Sequence, residues 1–273
     1  MLNTMRALVR DERGVTLATR PDPVGGAGEV VVDVAYAGVC RSDLAVIDGS
    51  IAVEHGRVIG HELSGWLDGE AVTVIPFEGA RWLGIDRDGA FAERVCVPAS
   101  CVLRLPPAMS LVHGAYVEPV AAALGVLGSI RRGDRVLVAG EGRIAELTAR
   151  VVAAFGAEVS RRSEREAFEV AIEHTGDGAA LVSTLRVGGT LVLKSRARRS
   201  IQLDAAELVA RDLTVRGASH GSFTAAIDWL HARRIVIDDL LAPPRPLDDF
   251  ARVLADAQAS EANKQMFAIG ARG

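Results

Sequence analysis

The chain has 273 residues, of which 49% are hydrophobic and 24% charged, so it can bury a sizeable core and is not a disordered protein. Asp and Glu outnumber Lys and Arg by 35 to 31, which argues against nucleic acid as a partner because no basic excess exists to neutralise phosphates. No apolar run approaches the roughly 18 residues of a membrane span, and residues 1–10 lack the apolar core of a signal peptide. We therefore expect a cytoplasmic protein with no membrane partner.

The first third of the chain reads as β-rich. Residues 29–37 form a run of β-branched side chains with partial alternation, and short strands are predicted at 70–75 and 91–97. Gly and Pro separate these segments. The pattern is typical of a compact barrel-like or sandwich domain.

The character of the sequence changes near residue 118, where strands and helices begin to alternate. Strands are predicted at 135–139, 158–159, 169–173, 190–194 and 213–216. Helices are predicted at 119–127, 143–155, 179–185, 205–209 and 223–232. This alternation indicates an α/β domain with a doubly wound parallel sheet.

A helix at 247–257 and a short strand at 265–269 complete the chain. We therefore predict two domains, a β-rich one over 1–118 that 246–273 completes, and a parallel-sheet domain over 119–245.

A glycine-rich turn follows the apolar strand 135–139. Gly140 permits the tight turn, Gly142 lets the backbone approach a pyrophosphate, and Ala145 lets helix and strand pack closely. The helix that starts here offers N–H groups to phosphates. The segment thus predicts a dinucleotide site, with a purely structural turn as the alternative.

The end of the second parallel strand carries no carboxylate for the ribose of NAD. It runs instead into Arg161 and Arg162, which suit the 2′-phosphate of NADP unless they are only a solvated charge run. Few residues separate Ser160 from the next strand. One βα unit of the usual six-stranded fold is therefore shortened or absent.

Possible metal ligands occur in the β-rich part. Cys40, His61 and Glu118, with Glu62 beside the histidine, supply the thiolate, imidazole and carboxylate of a catalytic zinc site with an open position. Spacing alone does not join them, since a lone cysteine is often simply buried.

Taken together and in order, the motifs resemble a known family. They are residues 38–43 (GVCRSD), 60–62 (GHE), 84–93 (GIDRDGAFAE), 118–119 (EP) and 188–195 (GGTLVLKS). They look like the zinc-dependent medium-chain dehydrogenases of the alcohol dehydrogenase superfamily, a resemblance over nearly the whole chain. It implies a GroES-like catalytic domain and a Rossmann domain.

The resemblance also implies site residues. Cys40, His61 and Glu118 match ligands of one catalytic zinc, and Glu62 matches a carboxylate that can approach the metal. Ser42 matches the hydroxyl that accepts the substrate proton, and Asp43 is expected to orient the ligands.

The implied chemistry is hydride transfer between an alcohol or carbonyl substrate and NADP or NAD, with NADP favoured by the two arginines. Thr175 in the segment 173–176 and His220 match positions that contact the nicotinamide. His174 stands there in place of a smaller residue.

Some features depart from the family. The region 74–83 has no cysteines for a structural zinc, so Cys96 and Cys101 are expected in the core.

The resemblance also implies a homodimer, with 235–237 as an apolar edge strand. The shortened Rossmann half leaves open a divergent member with a degraded cofactor site, doing lyase or isomerase chemistry or acting as a binding protein.

Overall fold

The computed structural model describes residues 3–12, 14–196 and 200–270. Contacts divide the chain into two units. The first runs to Glu118 and includes Leu230–Ala232 and everything from Ile237 onward; the second is Pro119–Trp229 with Arg233–Val236. This differs from the predicted second boundary, because residues 237–245 belong with the first unit.

The first unit begins with ten strands. They are β1 (Thr4–Asp11), β2 (Gly14–Pro21), β3 (Glu29–Gly38), β4 (Arg57–Val58), β5 (Glu62–Leu67), β6 (Glu70–Val74), β7 (Phe77–Glu78), β8 (Arg81–Trp82), β9 (Arg94–Pro98) and β10 (Val102–Arg104). Two short helices interrupt this unit, α1 (Arg41–Ile47) and α2 (Leu111–Gly114). Only β3, β6 and β9 correspond to strands predicted from the sequence; the other strands and both helices were not anticipated.

The second unit alternates helix and strand. Its helices are α3 (Val117–Leu124), which starts at the boundary, α4 (Gly142–Phe155), α5 (Ala205–Ala210) and α6 (Phe223–His231). Its strands are β11 (Arg135–Ala139), β12 (Glu158–Ser160), β13 (Phe168–Glu173), β14 (Leu185–Leu193) and β15 (Thr214–Gly217). All five pair in parallel in the order β12-β11-β13-β14-β15.

The end of the chain returns to the first unit as β16 (Arg245–Pro246), α7 (Phe250–Ala259) and β17 (Met266–Ala268). Strand β17 pairs antiparallel with β3 and places Met266 opposite Gly38. The main sheet of the first unit has the order β10-β6-β5-β3-β17-β16, with β9 also on β3. Strands β2, β1 and β4 form a second sheet.

The core of the first unit is a continuous apolar cluster. Alternate residues of β3 and β9, such as Val32, Val34 and Val95, point into it, and Phe91 meets Phe267 with ring centroids 4.9 Å apart. This edge-to-face aromatic contact fastens β17 to the unit.

The parallel sheet confirms that one βα unit is missing. Strands β12 and β13 flank β11, and only residues 161–167 connect them, without a helix in the described chain. Helix α4 covers one face through Ala145, Ala149 and Val152.

Two predicted helices of the second domain differ in the structure. The predicted helix 179–185 is a 3-10 helix, Ala179–Thr184. Helix 119–127 ends as α-helix at Leu124 and continues as a 3-10 segment, Gly125–Ser129.

The predicted edge strand 235–237 is wrong. These residues form no strand, and the side chains of Ile235 and Ile237 are buried within the chain itself. Within the described residues, no helix combines the length and apolarity needed to cross a bilayer.

Candidate active site

Cys40 precedes helix α1, where the chain leaves β3. Asp43 in the first turn of α1 accepts a hydrogen bond from the Cys40 backbone N–H at 2.8 Å. An acidic side chain at this end of a helix is favoured by the helix dipole. The half-buried thiol is thereby held in one position while staying accessible.

The same aspartate holds His61, which directly precedes β5. His61 Nδ1 lies 3.0 Å from Asp43 Oδ1, and both side chains are buried. Because a carboxylate only accepts, Nδ1 carries the hydrogen and Nε2 is left for a ligand. Carboxylates orient metal-binding histidines in this way. Ser42 Oγ lies 3.4 Å from Nε2.

The surroundings of the His61 ring favour positive charge. Burial lowers the pKa of His61, but the Asp43 carboxylate and Cys40 outweigh burial and raise the pKa well above 6.5. A proton or a metal cation can supply that charge, and the two compete for the ring nitrogen.

Glu62 forms a buried ion pair that the sequence analysis missed. Lys264 Nζ lies 2.6 Å from Glu62 Oε1 and 2.5 Å from Oε2, and it also donates to the Val39 carbonyl at 3.0 Å. The two side chains are 0% and 1% exposed. Burial, with the nearby Glu118 carboxylate, raises the pKa of Glu62, while Lys264 and His61 oppose this.

Gly38 provides the space for this pair. A Cβ at Gly38 would lie 2.5 Å from Glu62 Oε2 and 3.4 Å from Lys264 Cδ. The only signal in the sequence was a lysine directly before the strand predicted at 265–269, and nothing there indicated its partner.

Together these residues form a candidate metal site. Ligand atoms of Cys40, His61 and Glu62 all lie within 4.8 Å of one another. Thiolate, imidazole and carboxylate are the ligand types of zinc, so the donor chemistry fits the metal that the resemblance implies. Among the described residues, this is the only such group of three or more acidic, histidine or cysteine side chains.

Glu118 lies outside that group. It is buried in the first turn of α3 and near enough to Glu62 to act on its pKa. Glu62, and not Glu118, is the third member of that group. The ligand role of Glu118 therefore stays a prediction.

The other two cysteines differ from each other. Cys101 is buried in the core cluster, as expected. Cys96 is only half-buried, so its placement in the core was wrong. Its thiol lies 3.5 Å from Glu29 Oε2 because β9 reaches the edge of the unit there. Burial raises the pKa of both thiols, which makes them unreactive.

In the second unit, the glycine-rich turn joins β11 to α4. Gly140 has φ +113° and Gly142 φ +83°. A Cβ at Gly140 would lie 2.9 Å from the His174 Cβ, so the turn and the end of β13 touch. Ala145 is fully buried in the cluster beneath α4. No side chain caps the N-terminus of this helix, so its first N–H groups can bind an anion.

Arg143, in the first turn of α4, was not singled out from the sequence. It is 6% exposed, and its buried Nε has no hydrogen-bond partner in the described part of the chain. No ion pair of Arg143 occurs among the described residues. A buried cation without a counter-charge is costly, so this turn fits a negatively charged ligand such as the diphosphate of a dinucleotide.

Arg161 lies at the turn. Its Nη1 donates to the Ala145 carbonyl at 3.0 Å and its Nη2 to the Gly140 carbonyl at 2.5 Å. The neighbouring Arg162 is exposed, and its backbone N–H bonds to Ser160 Oγ at 3.1 Å.

The end of β13 is organised by Glu173, which is fully buried. Ser195 Oγ donates to it at 2.7 Å, and Gly176 N–H also donates to it. Burial acts against this, but these hydrogen bonds lower the pKa of Glu173. Thr175 Oγ1 lies 3.4 Å from the same carboxylate.

His174 extends from this strand end toward the turn. Burial, followed by the charges of Lys194 and Arg161, lowers its pKa to about 4. Because of this low pKa the ring is neutral at neutral pH. Its buried Nε2 has no hydrogen-bond partner among the described residues.

His220 follows β15. Its ring stacks on Phe223 at 5.6 Å, and its Nδ1 is 3.2 Å from Ser219 Oγ. The turn, Thr175 and His220 all follow the carboxyl ends of parallel strands, the edge where ligands of such sheets bind.

Comparison with known proteins agrees with this architecture. Residues 26–107 match the family model of the alcohol dehydrogenase GroES-like domain. A 2-dehydro-3-deoxy-L-galactonate 5-dehydrogenase of Pseudoalteromonas atlantica is 31% identical over 49% of this chain and 48% of its own length. The alignment thus spans about half the length of that relative.

Two solved structures have the same fold. An alcohol dehydrogenase of Escherichia coli with NADH superposes with a TM-score of 0.88 at 20% identity, over 97% of this chain and 99% of its own. A protein of Sinorhizobium meliloti described as a zinc-binding dehydrogenase, bound to NADP, gives 0.88 at 22% identity, with the same coverage.

The first domain is thus a GroES-like domain of the alcohol dehydrogenase type, followed by a Rossmann sheet. Over this domain the chain is similar to the alcohol dehydrogenases, the superfamily that its motifs resemble.

We expect Lys264→Met to destabilise the protein by about 3–5 kcal/mol, because it leaves the Glu62 carboxylate buried without its partner. Urea unfolding measures the loss. The double variant Glu62→Gln/Lys264→Met is the control and should be less destabilised than the single one, since no uncompensated charge remains. A single variant within about 0.5 kcal/mol of wild type would contradict a tight buried pair.

We expect His174 to make stability depend on pH between 6.5 and about 4. The unfolded state binds a proton in this window and the folded state does not, so stability falls as the pH falls. In His174→Asn, the loss of unfolding free energy between pH 7 and pH 5 should be smaller than in wild type. An equal loss in both proteins, or an imidazole that titrates near 6.5 by NMR, would show that the ring is solvated.

Proposed function

We propose that this protein is a zinc-dependent oxidoreductase that transfers a hydride between an alcohol or carbonyl substrate and a nicotinamide dinucleotide. The observation that carries the proposal is the group of Cys40, His61 and Glu62 with Asp43 behind the histidine. Such donors suit a catalytic metal with an open position.

Cys40 and His61 are the proposed zinc ligands, and the resemblance supplies Glu118 as the third. Zinc, when bound, polarises the substrate oxygen. Asp43 keeps the His61 ring in the orientation and tautomer that a ligand needs. Glu62 is held back from the metal by Lys264 but stays within reach of it.

Ser42 is the proposed proton acceptor. Its hydroxyl lies 3.4 Å from His61 Nε2, so it would be in range of a substrate oxygen held beside that nitrogen. The position where some relatives carry a relay histidine is Ala45 in this chain. The proton therefore leaves from Ser42 to the cofactor ribose or to water.

The glycine turn is the proposed dinucleotide site. Gly140 and Gly142 leave room for a diphosphate, the open N-terminus of α4 donates to it, and Arg143 supplies a counter-charge. The nicotinamide, when bound, donates or accepts the hydride. Thr175 and His220 are the proposed contacts on the nicotinamide side.

We propose NADP over NAD as the cofactor. Arg161 lies at the turn and uses only part of its guanidinium for the Gly140 and Ala145 carbonyls. Its remaining donors, with Arg162, suit a 2′-phosphate, because guanidinium groups bind phosphates through paired hydrogen bonds. Similar folds occur with NADH and with NADP, so the fold alone does not decide.

Redox-neutral chemistry or a mere binding role is not favoured, because both the donor group and the glycine turn are intact. A sugar-acid alcohol is the first substrate class to test, since the relative of P. atlantica is named for one. A homodimer and a cytoplasmic location remain predictions from the resemblance.

Purified protein should contain about one zinc per chain. Cys40→Ser should lose the metal and nearly all turnover while its circular dichroism stays that of wild type, because the site does not hold the fold together. Cys96→Ser is the matched control and should keep the metal and the turnover. Elemental analysis measures the zinc content, and alcohol oxidation assays measure the turnover. Full metal content in Cys40→Ser, or two zinc ions per chain, would contradict the site.

Fluorescence titration should show NADPH binding at least tenfold tighter than NADH, because each charge-assisted hydrogen bond contributes about 1.5–3 kcal/mol. Arg161→Ala should reduce this preference and leave NADH binding nearly unchanged. Arg165→Ala, an exposed arginine nearby, is the control and should have no effect. Equal binding of both cofactors by wild type would show that NADP is the wrong choice, and binding of neither would overturn the dehydrogenase proposal.

A further inference from the structure

A cavity lies in the first unit, away from the candidate metal ligands. Its volume is about 410 Å³, and strands β2, β4, β8 and β9 contribute to its wall. Four of its lining residues are arginines, namely Arg20, Arg81, Arg87 and Arg94. We call it the arginine pocket. None of Cys40, His61 and Glu62 lines it.

Three of these arginines have unused hydrogen-bond donors. Arg20 donates through Nη1 to the Gly56 carbonyl at 3.3 Å. Arg81 has no hydrogen-bond or ion-pair partner in the described part of the chain and acts on Glu29 only through its charge. Each guanidinium has more N–H donors than these contacts use.

Arg87 is well enclosed, with 15% of its side chain exposed. Its closest carboxylate oxygens are 3.8 Å away on Glu29 and 3.9 Å away on Glu78. A direct charge-assisted bond is about 2.7–2.9 Å long. Its buried Nε has no hydrogen-bond partner among the residues that the structure describes, and a buried donor left without an acceptor is unfavourable.

The carboxylates of the wall already accept hydrogen bonds from other groups. Glu29 accepts from the Gly26 N–H at 3.2 Å, and this bond, more than any other contact, lowers its pKa. Asp88 accepts from the Val58 N–H at 3.0 Å and from Arg57 at 3.3 Å. Arg94 alone among the four arginines is fully paired, with Asp22 and Asp33.

The remaining wall is apolar. Pro21, Pro23 and Met5 line the cavity, and Val24 stands at it with 89% of its surface exposed. The volume is within the roughly 300–1,000 Å³ of small-molecule sites and is far larger than an inorganic anion needs. A ligand that fits both the arginines and the apolar wall has an anionic group and a small apolar group.

We propose that the arginine pocket binds an organic phosphate monoester. A phosphate monoester carries about −1.5 to −2 charge and three acceptor oxygens, which three guanidinium groups can share. A carboxylate has fewer oxygens and is satisfied by one arginine. The half-buried Cys96 in the wall does not react with the ligand, because its thiol stays protonated.

Calorimetric titration of the full chain with phenyl phosphate tests this. We expect saturable binding that is at least tenfold tighter than that of inorganic phosphate, since the ring packs on the prolines. Arg87→Met and, separately, Arg81→Met should each weaken it about tenfold or more. Arg81 makes no contact on which the fold depends, so its variant remains informative if Arg87→Met folds poorly.

Two controls locate the ligand. Arg104→Met, an exposed arginine of the same unit, should leave binding unchanged. Arg161→Ala should also leave it unchanged, and a loss there would place the ligand at the glycine turn and overturn the proposal. No saturable binding at millimolar phenyl phosphate, or no preference over inorganic phosphate, would also overturn it. Zinc content and NADPH binding of Arg81→Met should equal wild type, so this proposal can fail without the proposed function failing.

Discussion

The candidate metal site depends on one buried ion pair, between Lys264 and Glu62. Lys264 lies two residues before β17, and Glu62 begins β5, beside His61. Breaking such a pair leaves a charge in the interior, which costs several kcal/mol. The C-terminal strand therefore cannot leave β3 without disturbing the residue next to a proposed zinc ligand. Asp43 completes the arrangement by joining the Cys40 backbone to the His61 ring.

The charged groups of the two units favour ligands of opposite charge. In the first, the thiol and carboxylates gather around His61 and favour a cation, which raises the pKa of the ring. In the second, burial and the charges of Lys194 and Arg161 lower the pKa of His174, and Arg143 in the first turn of α4 is buried. One group of residues fits a metal and the other an anion. The zinc ion and the dinucleotide phosphate of the proposed function would supply these charges.

The local sequence was sufficient to predict the strands and the main helix of the parallel sheet. Strand β11 occupies the predicted residues 135–139, and α4 starts within one residue of its prediction, because a glycine-rich turn and an apolar strand are short-range signals. The missing βα unit followed from counting residues after Ser160. The 3-10 segment Ala179–Thr184 was taken for an α-helix because apolar composition does not separate the two kinds of helix.

The candidate site was only partly predictable. Cys40, His61 and Glu62 were recognised from motifs, but motifs do not give distances, and the ligand role of Glu118 stays a prediction. Lys264 lies 202 positions from its partner, so no pattern in the sequence connects the two. Arg143 was read as a spacer within the glycine motif, because burial of a side chain at that point depends on the packing of α4.

The most direct test of this account is a crystal structure of the zinc-loaded protein with anomalous data at the zinc edge. The account predicts one peak per chain, bonded to Cys40 Sγ and His61 Nε2, with Asp43 still on His61 Nδ1 and Lys264 still on Glu62. A peak elsewhere, or none beside these two residues, would contradict it.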